Sequence, residues 1–335
     1  MKKYKVLILT DHTKHSKENS LYSIADVLSK HPLVKQLDIA SKGNSDNDDF
    51  FVQLKSTTIW AKKVKEDFGF SEDGFHFNQN LDKMTLSEYD LIWLRLPPPI
   101  DKVFLDFLTN TFSTQFIINK PAGIYETGSK AFLMNFEKVC PPMKICHSIE
   151  DILHFKKQFP IVLKPFREYG GKGIVRIDGE NVWEANTRLT FNEFKKKSAH
   201  QPIEYLGVKF LKNVKQGDKR IIVVDGKILG ASLRLPAQNS WICNVAMGGS
   251  SHLSDIDKEE YEIVENINPI LSKMGIVMYG IDTLMGDDGK RVLSEINTTS
   301  IGGLPQIAKQ RNLPLVEEAV ELIIRYFLKK NNYAN

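Results

Sequence analysis

Residues 293–303 read LSEINTTSIGG, a strand-like start followed by an acid, an amide, several hydroxyl side chains and two glycines. Residues i and i+2 of a β-strand point to the same face, so Glu295 and Asn297 project together while Ile296 turns into the core between them. A carboxylate beside an amide oxygen is a ligand set that Mg²⁺ prefers. On this segment alone the alternative also stands, a strand end whose polar residues simply face water.

The segment that leads into it, IVMYGIDTLMGDDGKRVLSEIN over 276–297, predicts a β-hairpin that turns at GDDG. A four-residue turn there would pair Asp282 with Leu293, and the strand period would then put Asp282, Glu295 and Asn297 on one face. Two carboxylates buried together without a cation would repel each other, and one of them would take up a proton. A bound cation is the simpler solution, so we predict a metal site on this face.

Length and composition limit the class of protein. With 335 residues, 42% of them hydrophobic and 26% charged, the chain is expected to fold into two or three domains around a real core. The net charge of +4 gives no nucleic-acid signature, although it is compatible with a basic pocket for phosphates or carboxylates. The three cysteines lack CxxC spacing, which argues against both a disulfide framework and a zinc site.

The start of the chain bears on localisation. The apolar run in MKKYKVLILTDH is too short for a signal peptide and leads straight into charged residues, so it is interpreted as a first strand. No stretch approaches the length of a membrane span. We therefore expect a cytoplasmic protein that binds neither membrane nor nucleic acid.

Strand and helix patterns alternate over roughly residues 1–120. YKVLILT, DLIWLRL and QFIIN have the pattern of buried strands, whereas SLYSIADVLSKH and DKVFLDFLTNTF have helical spacing. This alternation is typical of a small parallel α/β domain, with SKGNSDNDDF as a polar loop inside it. The pattern then changes to a helix at SKAFLMNFEKV, a strand at FPIVLKPF, two hairpins and a C-terminal helix, LVEEAVELIIRYFLKK.

Two lysines and two glycines are candidates for phosphate binding. Lys164 ends the strand that enters the glycine-rich turn with Gly170 and Gly171, and Lys130 begins the preceding helix. Lysines held near backbone N–H groups suit a polyphosphate. A glycine pair between strands is more often only a flexible turn, and either lysine could simply be solvated.

Arg220 and Arg234 lie on the two arms of a predicted hairpin around Asp225 and Gly226. A two-residue turn would put them on opposite faces, whereas a three-residue turn with glycine in the left-handed conformation would put them on the same face. The sequence does not choose between these turns, and two surface arginines are the alternative. A shared catalytic role requires the same face, which is our prediction.

Arg95 and Ser20 are candidates for binding a carboxylate-bearing substrate. Arg95 closes the strand WLRL before three prolines, at the edge where open α/β sheets bind ligands. Ser20 opens the first helix, where an N-cap hydroxyl and free N–H groups favour an anion. The alternatives are a surface salt bridge for Arg95 and a simple helix cap for Ser20.

The combination of motifs resembles bacterial glutathione synthetases of the ATP-grasp superfamily over nearly the whole chain. The motifs that carry the resemblance are DLIWLRLPPPID, NKP…SK, IVLKPFREYGGKGIVRI, GDKRIIVVDGKILGASLRLP, NVAMGG and GIDTL…SEINTTS. The resemblance implies an α/β protein with an α+β ATP-grasp part. It would comprise a parallel N-terminal α/β domain that binds the donor peptide (1–122), a central subdomain with a glycine-rich lid (123–204) and a C-terminal subdomain with the metal site (205–335).

The same resemblance implies roles for individual residues. Those implied to bind ATP are Lys130, Lys164, Gly170, Gly171, Lys209, Phe210, Leu211 and Asp218, with Lys209, Phe210 and Leu211 against adenine and Asp218 near the ribose. Those implied to stabilise the transferring phosphate and an acyl-phosphate are Arg220, Arg234 and Asn244. Asp282, Glu295 and Asn297 would hold Mg²⁺, with Mn²⁺ as an alternative. Ser20, Arg95, Thr299 and Ser300 would contact the substrates.

The implied reaction joins glycine to γ-glutamylcysteine through an acyl-phosphate, using ATP and releasing ADP and phosphate, in a homo-oligomer expected to be a tetramer. The sequence departs from the family at Ile242 and Ser250, where arginines are usual, and at residues 301–305, where IGGLP follows TTS. These regions are expected to hold the substrates' carboxylates. A ligase for another amino acid and another acid is therefore an alternative, and a nucleotide-binding protein without catalysis is a further one.

Overall fold

The computed structural model describes residues 2–185, 187–199, 201–236 and 250–332. Its strands form three sheets, of six, six and five strands. No helix in these ranges is both long enough and apolar enough to cross a membrane.

The first sheet is built from the N-terminal part of the chain. Its strands are β1 (Tyr4–Thr10), β2 (Val34–Ser41), β3 (Thr58–Lys63), β4 (Asp82–Thr85), β5 (Leu91–Leu94) and β6 (Phe116–Ile118). They lie in the order β4-β3-β2-β1-β5-β6. As predicted, β1, β5 and β6 belong to a parallel sheet. The sequence analysis missed the parallel strand β2 and the antiparallel edge formed by β3 and β4. The carboxyl ends of the parallel strands therefore meet at one edge.

Three of the four predicted helices are α-helices of the structure, namely those that begin at Ser20, Lys102 and Leu315. The described α-helices are α1 (Ser20–Lys30), α2 (Asp48–Phe51), α3 (Phe75–Asn78), α4 (Lys102–Thr111), α5 (Pro121–Thr127), α6 (Ile149–Lys156), α7 (Phe191–Ser198), α8 (Lys258–Lys273), α9 (Leu304–Arg311) and α10 (Leu315–Asn332). The helix predicted at SKAFLMNFEKV is a 3₁₀ helix, Lys130–Val139. The segment SKGNSDNDDF is not only a loop, because it leads into α2, where Phe50 and Phe51 are buried.

The second sheet is antiparallel and has a hydrophobic core of its own. Its strands are β7 (Met143–Cys146), β8 (Ile161–Pro165), β9 (Val175–Asp178), β10 (Asn181–Glu184), β11 (Thr187–Thr190) and β12 (Tyr205–Lys209), in the order β11-β10-β9-β8-β12-β7. Because β12 pairs with both β7 and β8, the predicted boundary between residues 204 and 205 separates a strand from its own sheet.

The third sheet joins the first sheet through shared cores. Its strands are β13 (Asp218–Val224), β14 (Lys227–Leu235), β15 (Ser250–Ser254), β16 (Met278–Met285) and β17 (Arg291–Asn297), in the order β15-β14-β13-β16-β17. The C-terminal helix α10 packs on the first domain, where the Phe327 ring meets the Tyr4 ring edge-on at 4.9 Å. The predicted segment 205–335 is therefore not an independent unit, since its last helix shares a core with β1.

Candidate active site

The hairpin of β13 and β14 places two arginines on one face. Asp225 and Gly226 form a two-residue turn, and both have positive φ, of 47° and 79°. Leu229 is an extra residue in the ladder, a β-bulge that reverses the parity of β14. Arg220 and Arg234 consequently share a face, which confirms the predicted arrangement. Of the two turns that the sequence left open, the structure has the two-residue turn, and the shared face comes from the bulge at Leu229.

The hairpin of β16 and β17 places the three predicted metal ligands together by a different register from the predicted one. Asp282 pairs with Glu295, whereas the predicted partner was Leu293. The turn is one residue longer than expected, and Ser294 forms a β-bulge. The two shifts cancel in parity, so Asp282, Glu295 and Asn297 still share one face.

The two hairpins bring arginines and carboxylates into one ion-paired cluster. Arg220 donates from Nε and Nη2 to the two oxygens of Asp282, at 2.7 and 2.6 Å. Arg234 donates in the same way to Asp218, at 2.6 and 2.8 Å, and its Nη2 lies 2.9 Å from Asp282 Oδ2. The structure therefore shows alternating charges that hold one another in place.

The pKa values in this cluster follow from burial and charge. Burial alone would raise the pKa of Asp282, but the guanidinium groups of Arg220 and Arg234 hold it well below its usual range. Burial and the negative charge of Asp282 raise the pKa of Asp218 to about 6, against the opposing effect of Arg234. Of these two carboxylates, Asp282 is the one whose charged form the arginines favour more strongly.

The oxygen donors suit a hard divalent cation. Asn297 donates from Nδ2 to Asp282 Oδ2 at 3.3 Å, which leaves its side-chain carbonyl as a possible ligand. Glu295 Oε1 lies 3.7 Å from Lys130 Nζ. The described residues contain no group of three or more His, Cys, Asp or Glu that could hold a metal, so the predicted set depends on the amide of Asn297. Carboxylate and amide oxygens fit Mg²⁺. Because Arg220 and Arg234 contact both oxygens of Asp282, at least one of these contacts must weaken before Asp282 can bind the cation.

The two predicted phosphate lysines lie close to these acids. The bulge at Ser294 turns that residue toward Lys164, whose Nζ donates to the Ser294 carbonyl at 3.2 Å and lies 3.1 Å from its hydroxyl. Burial lowers the pKa of Lys164, while Glu295 raises it and Lys130 lowers it further. Lys130 Nζ also donates to the Glu168 backbone carbonyl.

A cavity of about 330 Å³ lies between the second and third sheets and collects most of the predicted ATP-binding residues. Those that line it are Lys164, Gly170, Gly171, Lys209, Phe210, Leu211 and Asp218, together with Arg220, Arg234, Asp282, Glu295 and Asn297. Lys130 instead lines a narrow cleft next to Glu295. The sequence analysis missed the apolar wall formed by Val162, Ile174, Val208 and Leu284, whose signal was alternation along the strands.

The predicted adenine and ribose contacts remain predictions. Lys209 ends β12, and its Nζ lies 2.7 Å from Asp287 Oδ2 in the β16–β17 turn. Both oxygens of Asp218 accept from Arg234 rather than facing solvent. Gly170 and Gly171 have φ of 67° and 82°, conformations that side chains rarely adopt, so the turn at this edge of the cavity needs glycine.

The reverse face of β13 is fixed by a buried charge network that the sequence analysis also missed. Lys219 Nζ donates to Asp257 and Glu260, both at 2.8 Å. Thr283 of β16 donates to Glu260 at 2.6 Å. The network ties both strands to the start of α8, and so fixes the residues on either side of Lys219.

The structure places Arg95 at the predicted edge of the first sheet but encloses it in protein. Its side chain is 2% exposed, and Nη2 donates to the Ser20 hydroxyl at 2.6 Å and to the Ile301 carbonyl at 3.0 Å. Burial lowers the pKa of Arg95 to about 10. No carboxylate in the described ranges forms an ion pair with it, so the alternative of a surface salt bridge is wrong. Ser20 is not the helix cap, because the Asn19 side chain accepts from the Leu21 N–H.

The segment that carries Thr299 and Ser300 is anchored on the first domain. Asn119, at the end of β6, donates from Nδ2 to the Met278 and Thr298 carbonyls, both at 2.7 Å. Asn119 was missed, although a polar residue ending the strand QFIIN was a visible signal. Asn244 lies outside the described residues, as does Ile242.

Comparisons with known proteins agree with this geometry. Residues 129–312 match the family model described as the prokaryotic glutathione synthetase, ATP-grasp domain. The glutathione synthetase of Bradyrhizobium diazoefficiens is 31% identical over 243 residues, which cover 71% of this chain and 74% of that protein.

Solved structures share the fold at low sequence identity. D-cycloserine synthetase DcsG has a TM-score of 0.64 and 11% identity, covering 96% of this chain and 99% of that one. The D-alanine–D-alanine ligase of Bacillus anthracis, solved with ATP, has a TM-score of 0.58 and 15% identity, covering 99% of this chain and 100% of that one.

Proposed function

This chain belongs to the prokaryotic glutathione synthetase family of ATP-grasp ligases, and we propose that it joins glycine to γ-glutamylcysteine. ATP-dependent ligation follows from the family, while the two organic substrates are the proposed part. The family supports the choice of substrates, and the observation that supports the chemistry is one cavity lined by both basic side chains and oxygen donors. The basic side chains are Lys164, Arg220 and Arg234, and the donors are Asp282, Glu295 and Asn297.

The first step is phosphoryl transfer. A carboxylate oxygen of the donor peptide attacks the γ-phosphorus of ATP, the bond to the bridging β–γ oxygen breaks, and ADP leaves. The transferring oxygens gain charge, which Lys164, Arg220 and Arg234 would stabilise. The two arginines already present their N–H groups to carboxylates, so phosphate oxygens would take the place of anions of the same kind.

The second step forms the amide. The glycine nitrogen attacks the acyl carbonyl carbon, the bond from that carbon to the phosphate oxygen breaks, phosphate leaves with the electron pair, and the amine loses a proton. The walls of the cavity would exclude water, which would otherwise hydrolyse the acyl-phosphate.

A divalent cation fits the donor set. Asp282, Glu295 and Asn297 would hold Mg²⁺, and Mn²⁺ takes the same oxygen ligands. The bound metal would neutralise charge on the ATP phosphate oxygens. The hydrogen bonds from Arg220 and Arg234 to Asp282 would weaken when the cation binds.

The first domain would contribute indirectly to substrate binding. Arg95 and Ser20 hold the Ile301 carbonyl, and we propose that they position the segment carrying Thr299 and Ser300, which would face the substrates. We expect the enzyme to be cytoplasmic and tetrameric. Light scattering of the purified protein tests the assembly, since the protomer mass is 38.2 kDa.

The decisive experiment is ADP release against a matrix of donor peptides and amino acids. γ-Glutamylcysteine with glycine should give the highest kcat/KM and produce glutathione. Omitting either substrate should abolish steady turnover. Higher kcat/KM for another pair would refute these substrates while keeping the ligase.

A related ligase with other substrates is the second candidate. It is favoured by the departures from the family at Ile242, Ser250 and residues 301–305. The same matrix tests it, because an enzyme of this kind would release ADP with another amino acid or acid.

A further inference from the structure

A second, smaller cleft adjoins the nucleotide cavity. It has a volume of about 30 Å³, and its walls include Tyr125, Arg167 and Thr299. Pro98, Tyr169 and Asn297 line both the cleft and the cavity. A molecule in the cleft would therefore lie directly beside a proposed metal ligand.

Arg167 is held in place at this cleft without an acidic partner. Its guanidinium carbon lies 3.9 Å from the centre of the Tyr125 ring, and Nη1 donates to the Tyr125 carbonyl at 2.8 Å. No ion pair joins Arg167 to a carboxylate within the ranges that the structure covers. This sets it apart from Arg220 and Arg234, which are both paired, and leaves an oriented cation facing the cleft.

Hydrogen bonds also hold other residues at this cleft. Thr299 directly follows Thr298, whose carbonyl accepts from the buried Asn119 at 2.7 Å. Tyr169 donates its hydroxyl proton to the Gly128 carbonyl at 2.9 Å, and both residues line the cleft. A cleft of 30 Å³ has room for about two water molecules, so it suits a carboxylate and one further small group.

We propose that Arg167 binds the carboxylate of the acceptor amino acid and that the cleft restricts this acceptor to the smallest members of the class. The inference rests on the proposed ligation reaction and names the residue that selects its acceptor. Because Asn297 lines both the cleft and the cavity, an acceptor with its carboxylate on Arg167 lies next to the cavity in which the acyl-phosphate would form. The amine nitrogen then bonds to the acyl carbon as phosphate departs.

The test compares acceptors with and without a carboxylate. Arg167→Met should raise the KM for glycine at least about tenfold, as expected for loss of a charge-assisted hydrogen bond. The KM values for glycinamide, ATP and the donor peptide should stay within about twofold. Hydroxylamine, which has no carboxylate, should trap the acyl-phosphate equally well in both proteins. Arg188→Met is the matched control, because Arg188 is an exposed arginine of the same subdomain that bonds Asn181.

The outcomes separate this inference from the function on which it rests. If Arg167→Met harms glycine and glycinamide equally, harms neither, or raises the donor KM instead, Arg167 does not bind the acceptor carboxylate. If the wild type uses another amino acid, the substrate proposal fails, and the same comparison with that amino acid and its amide still tests Arg167. If the wild-type protein turns over alanine, or a larger amino acid, as fast as glycine, the size restriction is wrong.

Discussion

Arg234 and Arg95 are both largely enclosed by protein, yet their surroundings differ in charge. Arg234 donates two hydrogen bonds to Asp218 and lies 2.9 Å from Asp282 Oδ2, beside the cavity between the second and third sheets. Arg95 is 2% exposed and donates to the Ser20 hydroxyl and a backbone carbonyl, with no ion pair to any carboxylate in the described ranges. One cation is neutralised and the other is not.

This difference separates two uses of arginine. A guanidinium bound to carboxylates can exchange them for phosphate oxygens, so under the proposed function the Arg234 cluster would keep its charged groups in position for ATP. A guanidinium bound to neutral groups has no anion to exchange, and the hydrogen bonds of Arg95 fix a loop. Substitutions in the third sheet should therefore act on catalysis and those around Arg95 on stability.

The largest effect is expected at Glu295, within the charged region. Glu295→Gln keeps the shape of the side chain but removes a negative charge from the proposed metal-binding set, so kcat for ADP release should fall roughly 100-fold or more. The unfolding temperature should change little. Measurement at saturating Mg²⁺ separates lost chemistry from weak metal binding. Turnover near that of the wild type would remove Glu295 from the metal site.

The next largest effect is the difference between Arg234→Met and Arg95→Met in the free energy of unfolding. Arg234→Met leaves Asp218, whose side chain is 14% exposed, without its partner, and removing one member of a buried ion pair costs about 3–5 kcal/mol. Arg95→Met removes a charge whose burial is itself unfavourable, so the loss should be only about 1–2 kcal/mol. Urea titration of both variants measures the difference. Equal losses would mean that the neutral partners of Arg95 compensate its charge as well as carboxylates do.

The charged region could largely be predicted from the sequence, although both of its hairpin registers could not. Period-two reasoning puts Asp282, Glu295 and Asn297 on one face, and this survives because a longer turn and the Ser294 bulge cancel. In the arginine hairpin the single bulge at Leu229 changes the parity. Bulges depend on local backbone strain and packing, and the amino-acid sequence of neither hairpin indicates where its bulge lies.

Arg95 and Ser20 could be assigned to one site from the sequence, but their contacts with residues 298–301 could not, because these contacts are distant in sequence and involve the backbone. Arg95 and Ile301 are separated by 206 positions. Asn119 likewise holds the carbonyl of Thr298, which any residue would offer equally. The packing of α10 on the first sheet has the same origin, since an amphipathic helix does not specify which apolar surface it covers.

A third prediction concerns the pH dependence of stability. Arg95 has no carboxylate partner in the described ranges, so its positive charge should oppose protonation of the nearby His15. Burial lowers the pKa of His15 to about 4, the positive charges of His12 and Arg95 act in the same direction, and Asp11 opposes them. The unfolded value is 6.5, so this stability is present above pH 6.5 and is lost as the pH falls toward 4.

Unfolding free energies measured at pH 7, 6 and 5 test this prediction. The decrease should be smaller in His15→Gln, which cannot take up the proton, and also in Arg95→Met. An unchanged decrease in His15→Gln would assign the acid sensitivity to other groups. An unchanged decrease in Arg95→Met alone would show that the Arg95 charge does not reach His15.

The smallest effect is expected at Ser20, and it tests whether Arg95 acts through the loop or on the substrate. The Ser20 hydroxyl accepts from Arg95 Nη2 at 2.6 Å and donates to the Ile301 carbonyl at 3.0 Å. Ser20→Ala leaves Arg95 bound to that carbonyl, so unfolding should become easier by only about 1 kcal/mol. Ser23→Ala, on the same helix, controls for the helix propensity of alanine. If the contrast between the two regions holds, the KM for the donor peptide stays within about twofold. A tenfold rise in that KM, with the KM for ATP unchanged, would place the donor carboxylate against Ser20 and Arg95, and Arg95 would then exchange an anion as Arg234 does.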